Sequence, residues 1–118
     1  MRILVVDDSD AFRRVMSELL RRAGFKEVSE AGGFEEALEM YKRDNPEIVF
    51  VDMVLPGRSG VDLTKEILRE DPGAKVIAMS SVINKAMIKE SLDAGAKDFL
   101  LKPTNEIALN SVLSMWGD

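Results

Sequence analysis

The sequence alternates short runs of β-forming residues with longer segments of helical period, and it does so five times. The five predicted strands are Arg2–Val6, Glu27–Glu30, Ile48–Val51, Lys75–Met79 and Asp98–Leu101. The first, third and fourth of these are apolar at successive positions. Strands of this kind are typical of parallel sheets that helices cover on both faces. The alternation therefore predicts an α/β protein with a doubly wound, five-stranded parallel sheet and five helices.

The first predicted helix has the clearest amphipathic pattern. Charged residues such as Arg13 lie opposite an apolar stripe, Gly24 ends the helix, and the stripe consists of Phe12, Val15, Met16, Leu19, Leu20 and Ala23. The other helices are predicted before Pro46, before Pro72, at Asn84–Ala94 ahead of Gly95, and along the stripe of Leu109, Val112, Leu113 and Trp116.

The chain has 118 residues, which suits one domain with its own core, so we take residues 1–118 as a single domain. The longest apolar runs are four residues, whereas a membrane span needs about 20. We therefore expect a cytoplasmic protein that does not insert into membranes. The net charge of −5 disfavours direct binding of nucleic acid through a general basic field.

Polar side chains follow four of the predicted strands at their carboxyl ends: Asp7 and Asp8, then Asp52, then Ser80 and Ser81, and finally Lys102. In a doubly wound sheet these strand ends lie near one edge, and ligands bind in the crevice outside them. We therefore expect three acids, a hydroxyl and an amine to converge at this edge.

Each of these residues alone also has a simple structural interpretation. Asp8 would be a helix N-cap, although Ser9 beside it is an equally good one. Asp52 would be a solvated loop acid, although it interrupts an apolar segment. Lys102 would be a surface lysine, and Ser80 a strand-end hydroxyl bonded to the backbone.

Together the three acids require a positive charge among them. Two carboxylates about 4 Å apart repel each other by about 4 kcal/mol at an effective dielectric constant of 20. Because the chain has no Cys and no His, disulfides, thiol nucleophiles and Cys/His zinc sites are excluded, and the ligands are oxygens. Mg²⁺ is then the natural ion, with Lys102 as a second positive charge. A metal and a lysine around a carboxylate suit phosphoryl transfer to an Asp oxygen.

Five motifs, taken together, resemble those of response-regulator receiver domains, of which the CheY-like proteins are the single-domain form. In chain order they are Val5–Ser9, Val51–Gly57 with Gly60, Met79–Ser81, Gly95–Ala96 and Phe99–Pro103. The resemblance covers essentially the whole chain. It implies a flavodoxin-like, CheY-like sheet in the order 2-1-3-4-5. It also implies a protein that is phosphorylated by a partner histidine kinase or phosphotransfer protein and is not an enzyme acting on other substrates.

The resemblance implies a role for each residue of the acidic edge. Asp52 resembles the phosphoacceptor, and Asp7 and Asp8 resemble the acidic pair that holds Mg²⁺ together with Asp52. The backbone carbonyl of Val54 would be a further metal ligand. Lys102 resembles the phosphate-binding lysine, and the peptide that follows it is commonly cis in the family.

The resemblance also implies a conformational switch and a target surface. Ser80 resembles the switch hydroxyl that the phosphoryl group draws inward, and Phe99 resembles the switch aromatic coupled to it. A target protein would then bind helix 4, strand 5 and helix 5. Because the sequence ends at Asp118, just after the last predicted helix, we expect the output to pass through contact with another protein.

Three positions depart from the family pattern. Thr104 stands where an aromatic residue is common, and we expect it to cap the last helix. Val54 and Val82 are apolar where the family often has polar side chains near the hydrolytic water. We therefore expect slow self-dephosphorylation.

Two other functions stay open at this point. A haloacid dehalogenase-like phosphatase would use Asp8 as its nucleophile and leave Asp52 idle, but Ala11 replaces the expected Thr or Val and no acidic pair follows Lys102. A receiver-shaped binding module would never use the phosphate, although no residue that the chemistry needs is missing. Replacing Asp52 and Asp8 separately and following covalent labelling distinguishes the signalling protein from the phosphatase.

Overall fold

The structure is a computed structural model that describes residues 1–82 and 84–117, so the last residue of the predicted domain lies outside the described part. Strands and helices alternate along the chain: β1 (Arg2–Val6), α1 (Asp10–Arg22), β2 (Glu27–Ala31), α2 (Phe34–Asp44), β3 (Ile48–Asp52), α3 (Gly60–Glu70), β4 (Lys75–Ser80), α4 (Lys85–Asp93), β5 (Asp98–Leu101) and α5 (Glu106–Trp116). The strands form one parallel sheet in the order β2-β1-β3-β4-β5. The predicted fold class and strand order are confirmed.

Both faces of the central strands are buried, as their apolar sequences predict. Successive side chains of a strand point to opposite faces, so Ile3 and Val5 of β1 lie in one apolar cluster and Leu4 and Val6 lie in the other. Helices α1 and α5 complete the first cluster, and α2 and α3 complete the second. The buried apolar members from α1 and α5 are Met16, Leu20, Leu109, Val112 and Leu113, and those from α2 and α3 are Phe34, Ala37, Tyr41, Val61, Leu63 and Ile67.

Three strands run one residue further than their predicted ends, to Ala31, Asp52 and Ser80. In the parallel ladder Asp52 pairs with Met79 of the neighbouring strand. Main-chain hydrogen bonds do not depend on side-chain polarity, so the ladder continues past the last apolar residue. Asp52 and Ser80 therefore belong to the sheet itself and not to the loops that follow it.

Helix α1 corrects three of the sequence interpretations. Its N-cap is Ser9, whose side chain accepts a hydrogen bond from the Phe12 N–H, so the N-cap interpretation of Asp8 is wrong. Val15 is 57% exposed and does not belong to the core stripe. Arg13, predicted to face outward, has only 14% of its side chain exposed: it turns to the carboxyl edge of the sheet, where Nη1 donates to the Asp7 carbonyl and Nε is ion-paired with Glu30.

The predicted glycine stops of two helices are confirmed. Gly24 follows α1 with a φ of 101°, and Gly95 follows α4 with a φ of 112°, both in the left-handed region that favours glycine. The predicted cap of α5 is wrong. Asn105 is the N-cap, with its side chain accepting a hydrogen bond from the Ala108 N–H at 2.9 Å, whereas the Thr104 hydroxyl donates instead to the Asn105 carbonyl.

Within residues 1–82 and 84–117, no helix combines the length and the apolar character that a membrane crossing requires.

Candidate functional site

Three acidic side chains meet at the carboxyl edge of the sheet, as the sequence predicts. Asp7 and Asp8 follow β1, and Asp52 is the last residue of β3. Each offers one carboxylate oxygen that lies within 4.8 Å of the oxygens of the other two. Asp7 and Asp52 are buried, whereas Asp8 is exposed. The edge is thus a cluster of acids that opens to solvent on the side of Asp8.

The backbone around Asp7 is held from two sides. Its N–H donates to the carbonyl of Ala31 at the end of β2, and its Oδ1 accepts a hydrogen bond from the Ser9 N–H at 2.9 Å. Nη1 of Arg13 donates to the Asp7 carbonyl at 2.5 Å. Asp7 is therefore fixed both by the sheet and by the first turn of α1.

Asp52 is buried, and its carboxylate has two partners. Oδ1 accepts the N–H of Val54 at 3.0 Å, and Oδ2 contacts the Lys102 ammonium at 3.1 Å. Burial raises the pKa of Asp52 above its ordinary value, and the negative charge of Asp7 raises it further, while the Val54 N–H and Lys102 act in the opposite direction. The result is a carboxylate that is more basic than a solvated one.

Lys102 lies between two of the acids. Its Nζ is 2.5 Å from Oδ2 of Asp7 and 3.1 Å from Oδ2 of Asp52. Burial by itself lowers the pKa of Lys102, but the two carboxylates outweigh it, so the pKa is raised and the side chain stays an ammonium. Its backbone N–H donates to the Ser80 carbonyl at 2.8 Å, and the Lys102–Pro103 peptide is cis, as the resemblance implied.

Gly60 allows α3 to begin directly against the end of β3. A Cβ at this position would lie 2.1 Å from the Asp52 carbonyl oxygen and 2.7 Å from the Met53 Cα, both of which are backbone atoms. The Gly60 N–H donates to the Met53 carbonyl at 3.0 Å. The loop that carries Val54 is therefore short, and both of its ends lie beside Asp52, the phosphoacceptor candidate.

The two predicted switch residues lie on β4 and β5. Ser80 is buried at the end of β4, and its Oγ accepts a hydrogen bond from the Val82 N–H at 3.1 Å. Phe99, on β5 three residues before Lys102, is half-buried and packs against the apolar cluster under α2 and α3. The side chains of Val54 and Val82 are both exposed.

Sequence reasoning missed two residues of this site, Phe12 and Arg13. The Phe12 ring, predicted only as part of the core, lies under the Lys102 ammonium with its centroid 4.4 Å from Nζ. Arg13 is ion-paired with Asp10, and its buried Nε lies 3.3 Å from Glu30 without a hydrogen bond. The one available signal was position, since both residues belong to the first two turns of the helix that starts at this edge.

Comparison with known proteins decides what kind of domain this is. The sequence profile described as the response regulator receiver domain matches residues 3–114. The chain belongs to the response regulator receiver domain family. The chemotaxis protein CheY of Thermotoga maritima is 41% identical over 102 residues, which are 86% of this chain and 85% of that protein. CheY of Bacillus subtilis is 37% identical over the same shares.

Solved structures agree with this assignment. The CheX–CheY–BeF3–Mg complex from Borrelia burgdorferi contains a chain that matches with a TM-score of 0.90 and 30% identity, over 98% of this receiver domain and 88% of that chain. CheY4 of Vibrio cholerae also has a TM-score of 0.90, at 25% identity, over 98% of this chain and 97% of that one. Accepting a phosphoryl group is the general role of receiver domains.

The acidic edge fits the ion that this family uses. Receiver domains bind Mg²⁺ at an acidic pocket. Here the donors are carboxylate oxygens, the hard ligands that Mg²⁺ prefers, and they lie close enough for one ion to be shared. Lys102 neutralises only part of their charge, because the cluster has three acids and the single ammonium pairs with two of them.

Proposed function

We propose that this protein is a single-domain response regulator, comprising residues 1–118, that accepts a phosphoryl group on Asp52 and then binds a target protein. The donor is a histidine kinase or a phosphotransfer protein, and the reaction depends on Mg²⁺. One observation carries the proposal: a buried carboxylate of raised pKa contacts a lysine ammonium inside a cluster of three acids.

The chemistry follows from the carboxylate and its partners. An Asp52 oxygen attacks the phosphorus, and a bond from that oxygen to phosphorus forms. The bond between phosphorus and the donor's imidazole nitrogen breaks, and its electron pair returns to the imidazole. The raised basicity of Asp52 makes it a better nucleophile. Lys102, 3.1 Å from Asp52, neutralises negative charge on the group that moves.

Mg²⁺ would be held by the carboxylates of Asp7, Asp8 and Asp52 and by the backbone carbonyl of Val54. When bound, the ion supplies positive charge that offsets the charge of the phosphoryl oxygens. Asp7 is fixed for this role by the Ser9 N–H and by Arg13. The exposure of Asp8 gives the ion a route into the site.

The response to phosphorylation runs through Ser80 and Phe99. The Ser80 hydroxyl, whose oxygen now accepts a hydrogen bond from the Val82 N–H, turns and donates its own hydrogen to a phosphoryl oxygen. The main chain at Val82 moves with it, and the half-buried Phe99 ring turns inward. Both changes favour one of two conformers, so phosphorylation acts as a population shift.

The target binds the surface formed by α4, β5 and α5. Exposed apolar side chains lie on all three elements, namely Leu92, Leu101, Ile107 and Met115, and Ile107 is 84% exposed.

Two relatives are chemotaxis proteins, and one similar structure is a complex of CheY with CheX. We therefore place the protein in a cytoplasmic chemotaxis or related two-component pathway, without direct binding of nucleic acid. A pull-down with phosphorylated protein against Asp52→Asn tests the partner switch, since equal capture by both baits contradicts it.

Covalent labelling tests the proposal. The protein is incubated with acetyl phosphate, in Mg²⁺ or in EDTA, and the phosphorylated residue is located by mass spectrometry. We expect label on Asp52 in Mg²⁺, almost none in EDTA, and none in Asp52→Asn. Asp93→Asn, which changes an exposed acid outside the cluster, is the matched control and should label normally.

The same experiment separates the alternatives. Label on Asp8 that survives Asp52→Asn would establish the phosphatase-like reaction, in which this protein would be an enzyme. A wild-type protein that takes up no label in Mg²⁺, from acetyl phosphate or from a kinase, would establish a binding module that does not use the phosphate.

The lifetime of the label is a separate prediction. The side chains of Val54 and Val82 have no polar group that could hold a hydrolytic water, and both are exposed beside the site. We expect slow loss of label from the isolated protein, and faster loss when either residue is changed to a polar one, such as Val54→Asn. Rapid loss from the wild type would contradict this expectation.

A further inference from the structure

The Lys102 ammonium has a third neighbour besides the two carboxylates. The face of the Phe12 ring lies 4.4 Å from Nζ, measured to the ring centroid. Oδ2 of Asp7 is at 2.5 Å and Oδ2 of Asp52 at 3.1 Å. Only 15% of the Lys102 side chain is exposed, so these three groups take the place of most of its water.

We propose that Phe12 is a positioning residue for Lys102, whose ammonium its ring face holds at the acidic edge. The negative face of an aromatic ring attracts a cation, and the attraction is strongest where water is excluded. This inference rests on the proposed function, because the position of Lys102 matters for the reaction only if Asp52 accepts a phosphoryl group.

The Lys102 ammonium needs a partner other than the carboxylates, because the carboxylate oxygens bind both this ammonium and a divalent ion. Lys102 would lose part of its hold on Asp7 and Asp52 when those oxygens turn to a divalent ion at the same cluster. Its contact with the ring does not involve the carboxylates and remains. The ammonium then stays beside Asp52, where an incoming phosphoryl oxygen can bond with it.

The backbone that carries the ring is held by the loop that carries the acids. The Phe12 N–H donates to the Ser9 Oγ at 3.1 Å, and the Ser9 N–H donates to Oδ1 of Asp7 at 2.9 Å. Asp7, the helix cap and the ring thus form one connected unit. The ring stands in a set position relative to the carboxylate that shares the same ammonium.

Four variants test the role of the ring. Phe12→Leu keeps an apolar side chain but removes the aromatic face, and Phe12→Met does the same in case the first variant fails to fold. Phe12→Tyr keeps the face. Phe25→Leu is the matched control, because Phe25 packs against the same apolar cluster just beyond the other end of α1, and no described cation lies over its ring.

The first measurement reads the position of Lys102 directly, without phosphorylation. A ring face shifts the NMR resonances of protons above it upfield, so the Lys102 side-chain methylene protons next to Nζ should show such a shift. We expect the shift in the wild type, in Phe12→Tyr and in Phe25→Leu, both in EDTA and in Mg²⁺, and its loss in Phe12→Leu or Phe12→Met. Equal Lys102 shifts in the wild type and in Phe12→Leu would overturn the proposal.

The second measurement is the rate of labelling by acetyl phosphate in Mg²⁺, well below the melting temperature of every variant. We expect Phe12→Leu to be about three- to tenfold slower than the wild type. Phe12→Tyr and Phe25→Leu should be within about twofold of the wild type. A Phe12→Leu rate equal to that of the wild type, or a Phe12→Tyr rate as low as that of Phe12→Leu, would overturn the role of the ring.

The two proposals fail in different ways. A wild type that is not labelled on Asp52 removes the proposed function, whatever the variants do. A wild type that is labelled normally, together with an unaffected Phe12→Leu, removes only the role of Phe12.

Discussion

The two ends of the parallel sheet both carry ion pairs, but in different surroundings. At the amino end, Arg2 of β1 pairs with Glu27 of β2 at 2.8 Å, and their side chains are 56% and 60% exposed. At the carboxyl end, Lys102 pairs with Asp7 and Asp52, both of which are buried. The same kinds of side chain thus meet once in water and once in the protein interior.

The difference shows what burial does to charge. In water, side-chain entropy and salt screening reduce an ion pair to between about 0 and 1 kcal/mol. In the interior, each charge has lost much of its hydration and depends on its partner, so removing one partner is costly. The amino end is therefore a tolerant surface. The carboxyl end responds strongly to any change of charge, which is what a phosphorylation site requires.

Removing Lys102 should give the largest effect. In EDTA, Lys102→Met leaves the buried Asp7 and Asp52 without their cation, and we expect the free energy of unfolding to fall by about 3 to 5 kcal/mol. Urea denaturation measures this fall. The control is Lys89→Met, since Lys89 is exposed and pairs with Asp93 at 2.6 Å; its loss should be much smaller. Equal losses would show that burial does not distinguish the two lysines.

Gly60→Ala should come next, because the carboxyl edge is also sterically tight. The new Cβ would meet the Asp52 carbonyl oxygen at 2.1 Å, so backbone must move. We expect a loss of about 1 to 3 kcal/mol in unfolding free energy and slower labelling of Asp52. Gly73→Ala, where a Cβ would meet only the Asp71 side-chain oxygen at 3.5 Å, is the control and should change little. A normal labelling rate in Gly60→Ala would mean that the position of α3 does not matter for Asp52.

The fold could be predicted from the sequence because its main signals are local. Alternating periodicity predicts the elements, and continuous apolar strands predict a sheet covered on both faces. The period of a helix, however, predicts the centre of its buried stripe better than its borders. Val15 is exposed at one border, while Arg13 turns inward towards the Asp7 carbonyl and Glu30. Such acceptors come from other elements, so the sequence of α1 alone does not reveal them.

Part of the candidate site could likewise be predicted from the sequence, and part of it could not. The acids and Lys102 could be predicted because each directly follows or ends a strand, and parallel strands bring these ends together. The place of Phe12 could not, because the contact of its ring with Lys102 depends on how α1 crosses the sheet relative to β5. Nothing in the sequence distinguishes this ring from the other apolar residues of the same stripe.

A smaller effect should appear when Asp52 is replaced, and its sign depends on pH. Burial raises the pKa of Asp52 in the folded protein, so the stability that this group contributes is complete below the pKa of the unfolded chain and is lost as the pH rises through the raised value. In EDTA, Asp52→Asn should therefore become more stable relative to the wild type as the pH rises from about 4 to 7.

Asp44, a half-buried acid outside the cluster, provides the opposite sign. The hydrogen bond from Arg43 lowers the pKa of Asp44, so its contribution is present above the unfolded pKa and is lost as the pH falls. Asp44→Asn should become less stable relative to the wild type as the pH rises towards about 4, and the difference should change little above that pH. Urea denaturation at several pH values measures both differences, and curves of the same sign would contradict the opposite pKa shifts of Asp52 and Asp44.

The smallest effect, and the sharpest test of the comparison, is the response of the two pairs to salt. Double-mutant cycles give a coupling energy for Arg2 with Glu27 and another for Lys102 with Asp52. We expect the coupling of Arg2 with Glu27 to be the smaller of the two and to shrink further in 1 M NaCl, where charges are screened beyond about 3 Å. The second should keep most of its value, because its charges have little contact with solvent ions. If salt weakened both couplings by the same fraction, the carboxyl edge would be as well solvated as the surface, and the high pKa of Asp52 would lose its physical cause.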